Sequence, residues 1–186
     1  LIIVAFGSSA CYEERASSVC SLDESSTHVV IGCGLSETLS LLEISTDGQF
    51  GIRNDIQMTC QGISEMKVKG DRVYGLCSLS NSIIIYDRGD LDILAEHSLG
   101  EGKNPISFCF DGDGRMWVSN FISETVEVYR LTDGEPKRIK SFDLSCATSP
   151  GSSRPGGVAC AGSRVFVVLS NLDDDFLPAG KSAVAA

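Results

Sequence analysis

A long-period repeat constrains this chain more than any other feature. Apolar doublets at Val29-Val30, Val73-Tyr74, Met116-Trp117 and Val165-Phe166 recur at steps of 44, 43 and 49 residues. The first three are each followed by a polar turn and a second apolar stretch. Those turns are Ser36-Glu37-Thr38, Ser80-Asn81-Ser82 and Ser123-Glu124-Thr125. A third element precedes the later doublets by ten or eleven residues: Gly62-Ile63-Ser64, Pro105-Ile106-Ser107 and Pro155-Gly156-Gly157-Val158. Residues 115–130 are the cleanest copy of the doublet, turn and second stretch.

Each unit reads as four short strands. One follows the Pro/Gly position, one lies at the doublet, one follows the polar turn, and one precedes the next Pro. Proline suits a strand entry because its missing N–H is tolerated there. Residues 137–142, with Ile139 between basic neighbours, read as a half-exposed outer strand. Helical periodicity is weak. Four antiparallel strands every 40 to 50 residues predict an all-β fold, a β-propeller with about four blades present. A β-sandwich would share the turn density but not the long period. The predicted units are 19–60, 61–103, 104–153 and 154–186. Residues 18–23 are the predicted inner strand of the first blade, and 181–186 the third strand of the last.

The stretch Lys103-Asn104-Pro105, then Met116-Trp117-Val118-Ser119-Asn120, then Glu124-Thr125-Val126-Glu127-Val128-Tyr129 resembles the YVTN-type propeller repeat. That repeat runs roughly G-x-x-P, a strand ending V-T/S-N, then N-T-V-S-V-I-D. Ser80-Asn81-Ser82-Ile83-Ile84-Ile85-Tyr86-Asp87 is similar to its last part. The resemblance covers about residues 28–186 and implies a partial ring of a seven-bladed propeller, with a closed four-bladed ring as the alternative. It implies little about function, because such repeats serve many roles. The first two units depart from it, with Gly32-Cys33 and Leu76-Cys77 where the third has Ser119-Asn120.

The formal charge of −10, from 25 acids and 15 bases, argues against a nucleic-acid partner, which requires a concentrated positive face. Eight cysteines, at 11, 20, 33, 60, 77, 109, 146 and 160, contain no C-x-x-C pair, and His28 and His97 are far apart, so no zinc spacing exists. Thiol density without a metal or redox motif favours an oxidising compartment. Residues 1–10 read as a signal-peptide remnant whose end, Gly7-Ser8-Ser9-Ala10-Cys11, resembles a bacterial lipobox with Ser8 in place of the usual Leu; a first strand is the other reading of the apolar run. Cys11 is then the lipid attachment, residues 11–18 a polar tether, and the lipid anchor the membrane contact. The expected address is the cell envelope, periplasmic or surface-anchored.

No G-x-S-x-G and no phosphate-binding glycine loop occurs. The expected role is therefore a binding or scaffold module for a protein partner or a small envelope ligand. The alternative is a lactonase-like or other metal-assisted hydrolytic propeller. Asn104, Asn120 and Asn171 fall at strand ends where amides can line a channel mouth, or satisfy loop backbone. Asp173, Asp174 and Asp175 are the acidic cluster that would suit Ca²⁺, or form a solvated loop. Asp111-Gly112-Asp113-Gly114 reads as a tight turn. Cys33 and Cys77 occupy equivalent strand ends and Cys60 precedes the second inner strand, so Cys60 is expected to bond Cys77 or Cys33. The partners of Cys109, Cys146 and Cys160 are left open.

Overall fold

The computed structural model describes residues 2–6 and 26–186. The readings on the lipobox-like stretch, Cys11, the tether and an inner strand at 18–23 lie outside the described residues. Fifteen strands, and no helix, occur among the described residues. The chain divides into two compact units, Leu1–Ser98 and Leu99–Ala186.

The first unit holds two four-stranded sheets, each in sequence order. One is β1 (Ile2–Phe6), β2 (Thr27–Cys33), β3 (Thr38–Ile44) and β4 (Phe50–Met58). The other is β5 (Ile63–Lys69), β6 (Arg72–Cys77), β7 (Ser82–Asp87) and β8 (Ile93–Ser98). Neighbours pair antiparallel except β1, which runs parallel to β2 with Ile2 opposite Val29. The inner position of the first sheet is thus filled by Ile2–Phe6. The second unit holds β9 (Pro105–Phe110), β10 (Met116–Asn120), β11 (Thr125–Thr132) and β12 (Glu135–Asp143), then β13 (Pro155–Ala161), β14 (Arg164–Leu169) and β15 (Ala183–Ala185). The last sheet has three strands.

The middle strands are apolar runs because both of their faces are covered. In β6 and β7, Val73 to Cys77 and Ser82 to Tyr86 are buried almost without interruption, whereas β8 is mostly exposed. Val30, Leu39 and Leu41 of the first sheet share a core with Ile63, Met66, Val73 and Ile84 of the second. Each such side chain contributes about 1.5–3 kcal/mol on burial. The two sheets approach closely at Gly32, where an added Cβ would lie 2.9 Å from Ile63. In the second unit Cys109, Val126, Val158, Val167 and Leu169 form the corresponding core.

The repeated polar turn has a physical basis. Its central residue is left-handed each time: Glu37 at φ 56, Asn81 at φ 54 and Glu124 at φ 53. The flanking hydroxyls bond each other across it: Ser36 to Thr38 at 3.0 Å, Ser80 to Ser82 at 2.9 Å and Ser123 to Thr125 at 2.9 Å. Such side-chain bonds compensate a conformation that non-glycine residues otherwise avoid.

Trp117 stacks on Phe142 of its own sheet, with ring centres 5.8 Å apart, and packs against the core shared with the fourth sheet.

Candidate functional site

In the second unit, the entry of β9, the end of β10 and the segment just after β14 carry the three asparagines. Asn120 closes β10 opposite Pro105, and the amides of Phe121 and Ile122 donate to the carbonyls of Asn104 and Lys103, both at 3.0 Å. Asn104 and Asn120 therefore occupy adjacent strand ends. Asn104 is left-handed at φ 50. Asn120 is fully buried; its Nδ2 donates to Thr125 Oγ1 at 3.0 Å, and its Oδ1 has no partner among the described residues.

Asn171 sits on the fourth sheet's side of the same region and is spent on backbone. Its Oδ1 accepts from the Gly151 amide at 3.0 Å, and its Nδ2 donates to the carbonyls of Lys181 at 3.0 Å and Ser149 at 3.3 Å. The amide thus clamps two loop segments. Asp173 also serves its own loop, with Oδ1 accepting from the amides of Asp175 at 3.0 Å and Leu177 at 2.9 Å. Asp173, Asp174 and Asp175 are exposed. Among the described residues no group of three or more His, Cys, Asp or Glu side chains is placed to hold a metal, so the Ca²⁺ reading finds no ligand set there.

Two further groups join these strand ends. Glu124 Oε2 accepts from the Ser153 amide at 2.7 Å, linking the third sheet's turn to the segment entering the fourth. Next to it, Phe121 and Phe176 stack with centres 6.0 Å apart, and the guanidinium of Arg154 lies 5.8 Å and 5.2 Å from the two ring centres. Nothing in the sequence singled out this cluster. Its members lie far apart in the chain and do not occupy equivalent positions of the repeat.

A second polar cluster lies within the third sheet. The Glu127 carboxylate is almost fully buried and accepts from Lys103 Nζ at 2.6 and 2.8 Å, Tyr129 Oη at 2.6 Å and Arg138 Nη1 at 2.8 Å. Burial alone raises the Glu127 pKa. Hydrogen bonds from Lys103, Tyr129 and Arg138 and the Lys103 charge outweigh it, and the net shift is downward. Burial first, and then the Glu127 carboxylate, push the Tyr129 hydroxyl far up. The sequence signal was a Glu where the equivalent positions of the other units hold Ser40 and Ile84.

Of the two partners left for Cys60, the structure has Cys77, with Cα atoms 5.8 Å apart. Cys109 is joined to Cys160, with Cα atoms 5.7 Å apart. Cys33 is buried with Sγ 3.9 Å from Ser40 Oγ, and Cys146 is exposed. His28 is buried 3.4 Å from Glu43, and His97 is partly exposed on β8.

No family model and no curated protein matches the sequence. Solved structures do match in fold. A protein from Lactobacillus plantarum aligns at a TM-score of 0.64 and 13% identity, covering 85% of this chain and 56% of that one. The periplasmic gluconolactonase of Pseudomonas aeruginosa aligns at 0.55 and 16% identity, covering 74% and 44%. Virginiamycin B lyase from Staphylococcus aureus aligns at 0.50 and 14% identity, covering 78% and 48%. The chain spans about half the length of these structures. Its all-β fold is related at low identity to propeller-like lactonase and lyase structures.

Proposed function

We propose that this chain is part of a propeller enzyme that opens a cyclic ester, in the manner of a lactonase, rather than a scaffold alone. The observation that carries this reading is the fold shared with a gluconolactonase and a virginiamycin B lyase over about three quarters of the chain. The strand ends around Asn104, Asn120 and Arg154 are the face that would meet the substrate. No metal-assisted step is assigned, because the described residues offer no ligand set.

The finer fold reading is a YVTN-type ring of seven blades. The recurring left-handed turns support the repeat assignment, and coverage of about half of each matched structure supports a partial ring. We propose a cell-envelope address with a small envelope ligand as the partner; lipid attachment at Cys11 forms no part of this reading, because cleavage before Cys11 would remove β1 from the first sheet. Two disulfides support an oxidising compartment.

The test is hydrolysis. The full-length protein, exported and oxidised, is assayed in a pH-stat against a panel of γ- and δ-lactones, with the spontaneous rate subtracted. Acceleration of at least one lactone is expected. No acceleration across the panel returns the protein to the binding role.

A further inference from the structure

Arg154 differs from the ion-paired arginines. Arg53, Arg72, Arg115 and Arg138 each have a carboxylate within 4 Å. Arg154 has none among the described residues. Its Nη1 donates to the Ile122 carbonyl at 3.3 Å, and its Nε is buried without a hydrogen-bond partner. The guanidinium is instead positioned by ring faces, those of Phe121 and Phe176. Aromatic contact orients a guanidinium without neutralising it and leaves its donors available.

The backbone adds an independent observation. Arg154 has φ 41 and Phe176 has φ 61. Bulky residues enter the left-handed region rarely, and such conformations concentrate where a site is pre-organised. Both side chains of the contact are thus held by strained backbone. Phe176 and Ile122 are 50% and 42% exposed, so an apolar rim borders the cation. Of the neighbouring carboxylates, Glu124 is bonded to Ser153 and Asp173 to its own loop, while Asp174 and Asp175, next to Phe176 in the chain, are exposed.

We propose that Arg154 is an anion anchor, taking the carboxylate or phosphate of a small polyhydroxylated ligand whose body rests on Phe176 and Ile122. This deepens the lactone-directed reading and rests on it, because ring opening of a lactone releases a carboxylate. A chain of formal charge −10 repels anions at long range, so saturable anion binding reports a local site.

The full chain is titrated calorimetrically with inorganic phosphate, sodium gluconate and, as a neutral control, glucose. Saturable binding of at least one anion is expected, with none for glucose. Arg154→Asn removes the guanidinium while Asn tolerates the left-handed backbone; it is expected to weaken anion binding at least tenfold. Arg164→Asn, at an exposed β14 position, is expected to leave it unchanged. Phe176→Leu keeps the cation and removes one ring, and is expected to weaken binding two- to fivefold, which tests the site independently if the Arg154 variant misfolds. Phosphate binding without gluconate binding assigns a phosphoryl group; gluconate binding assigns a carboxylate. Wild-type affinity in Arg154→Asn, or no saturation by either anion, overturns the anchor. Anion binding with no lactone hydrolysis overturns only the catalytic reading. Hydrolysis of an anionic lactone with KM unchanged in Arg154→Asn overturns only the anchor.

Discussion

Cys109 of β9 and Cys160 of β13 are joined by a disulfide, so the first strands of the third and fourth sheets are covalently tied. The bridge spans 51 residues, against 17 for Cys60–Cys77. Chain-entropy reasoning assigns the longer bridge about 4 kcal/mol and the shorter about 3 kcal/mol.

Cys109→Ser is therefore expected to destabilise the chain more than Cys60→Ser, by about 1 kcal/mol. Urea unfolding of the two variants, with the remaining bridge intact, measures the difference. Equal midpoints and slopes would remove the entropic ordering.

Glu127 predicts an acid limb in the stability profile. Its folded pKa is held below the ordinary glutamate value by its bonds to Lys103, Tyr129 and Arg138. Its contribution is therefore complete above that value and is lost as pH falls through the lower, folded pKa. Glu127→Gln is expected to flatten the profile in that window. Glu127→Ala strands Lys103 and Arg138 beside an apolar strand and is expected to cost about 3 kcal/mol at neutral pH. Denaturant midpoints between pH 2 and 7 decide both.

Asp111 organises the β9–β10 hairpin. Its Oδ1 accepts from the amides of Asp113 at 3.0 Å and Arg115 at 2.9 Å, and its Oδ2 from Arg115 Nε at 2.7 Å and Trp117 Nε1 at 2.8 Å. Burial opposes the charged carboxylate, but these bonds lower its pKa overall. Asp111→Ala is expected to cost about 2 kcal/mol and to shift the emission of Trp117, the one tryptophan of the chain. An unchanged spectrum would show that the indole does not depend on Asp111.

The left-handed turns offer a stabilising substitution. Glu37 has φ 56, and its side chain has no hydrogen-bond partner among the described residues. Asn tolerates that region better, so Glu37→Asn is expected to stabilise the chain by about 0.5 kcal/mol. The equivalent change at Glu124 is expected to destabilise, because Glu124 also holds Ser153. Thermal midpoints of the two variants should move in opposite directions.

Much of the architecture was readable in the chain because strand alternation, turn hydroxyls and strand-entry prolines act locally. The recurrence of Ser-x-Thr or Ser-x-Ser marks the turns, since the hydroxyl pair and left-handed centre need only three residues. Cys60 could be narrowed to two partners for the same reason: equivalent repeat positions lie near one another. The role of Asn171 could not be narrowed, because whether an amide meets ligand or backbone depends on loops from residues 149–151 and 181.

By itself, then, the sequence determined the all-β repeat, its period and the strand ends that face one region. Tertiary structure decided the rest. It paired Cys109 with Cys160, buried Glu127 under two cations, put β1 parallel beside β2, and gathered Phe121, Arg154 and Phe176. These contacts join residues from different units of the repeat or from outside it, and their energies depend on burial and approach distances that no local pattern encodes.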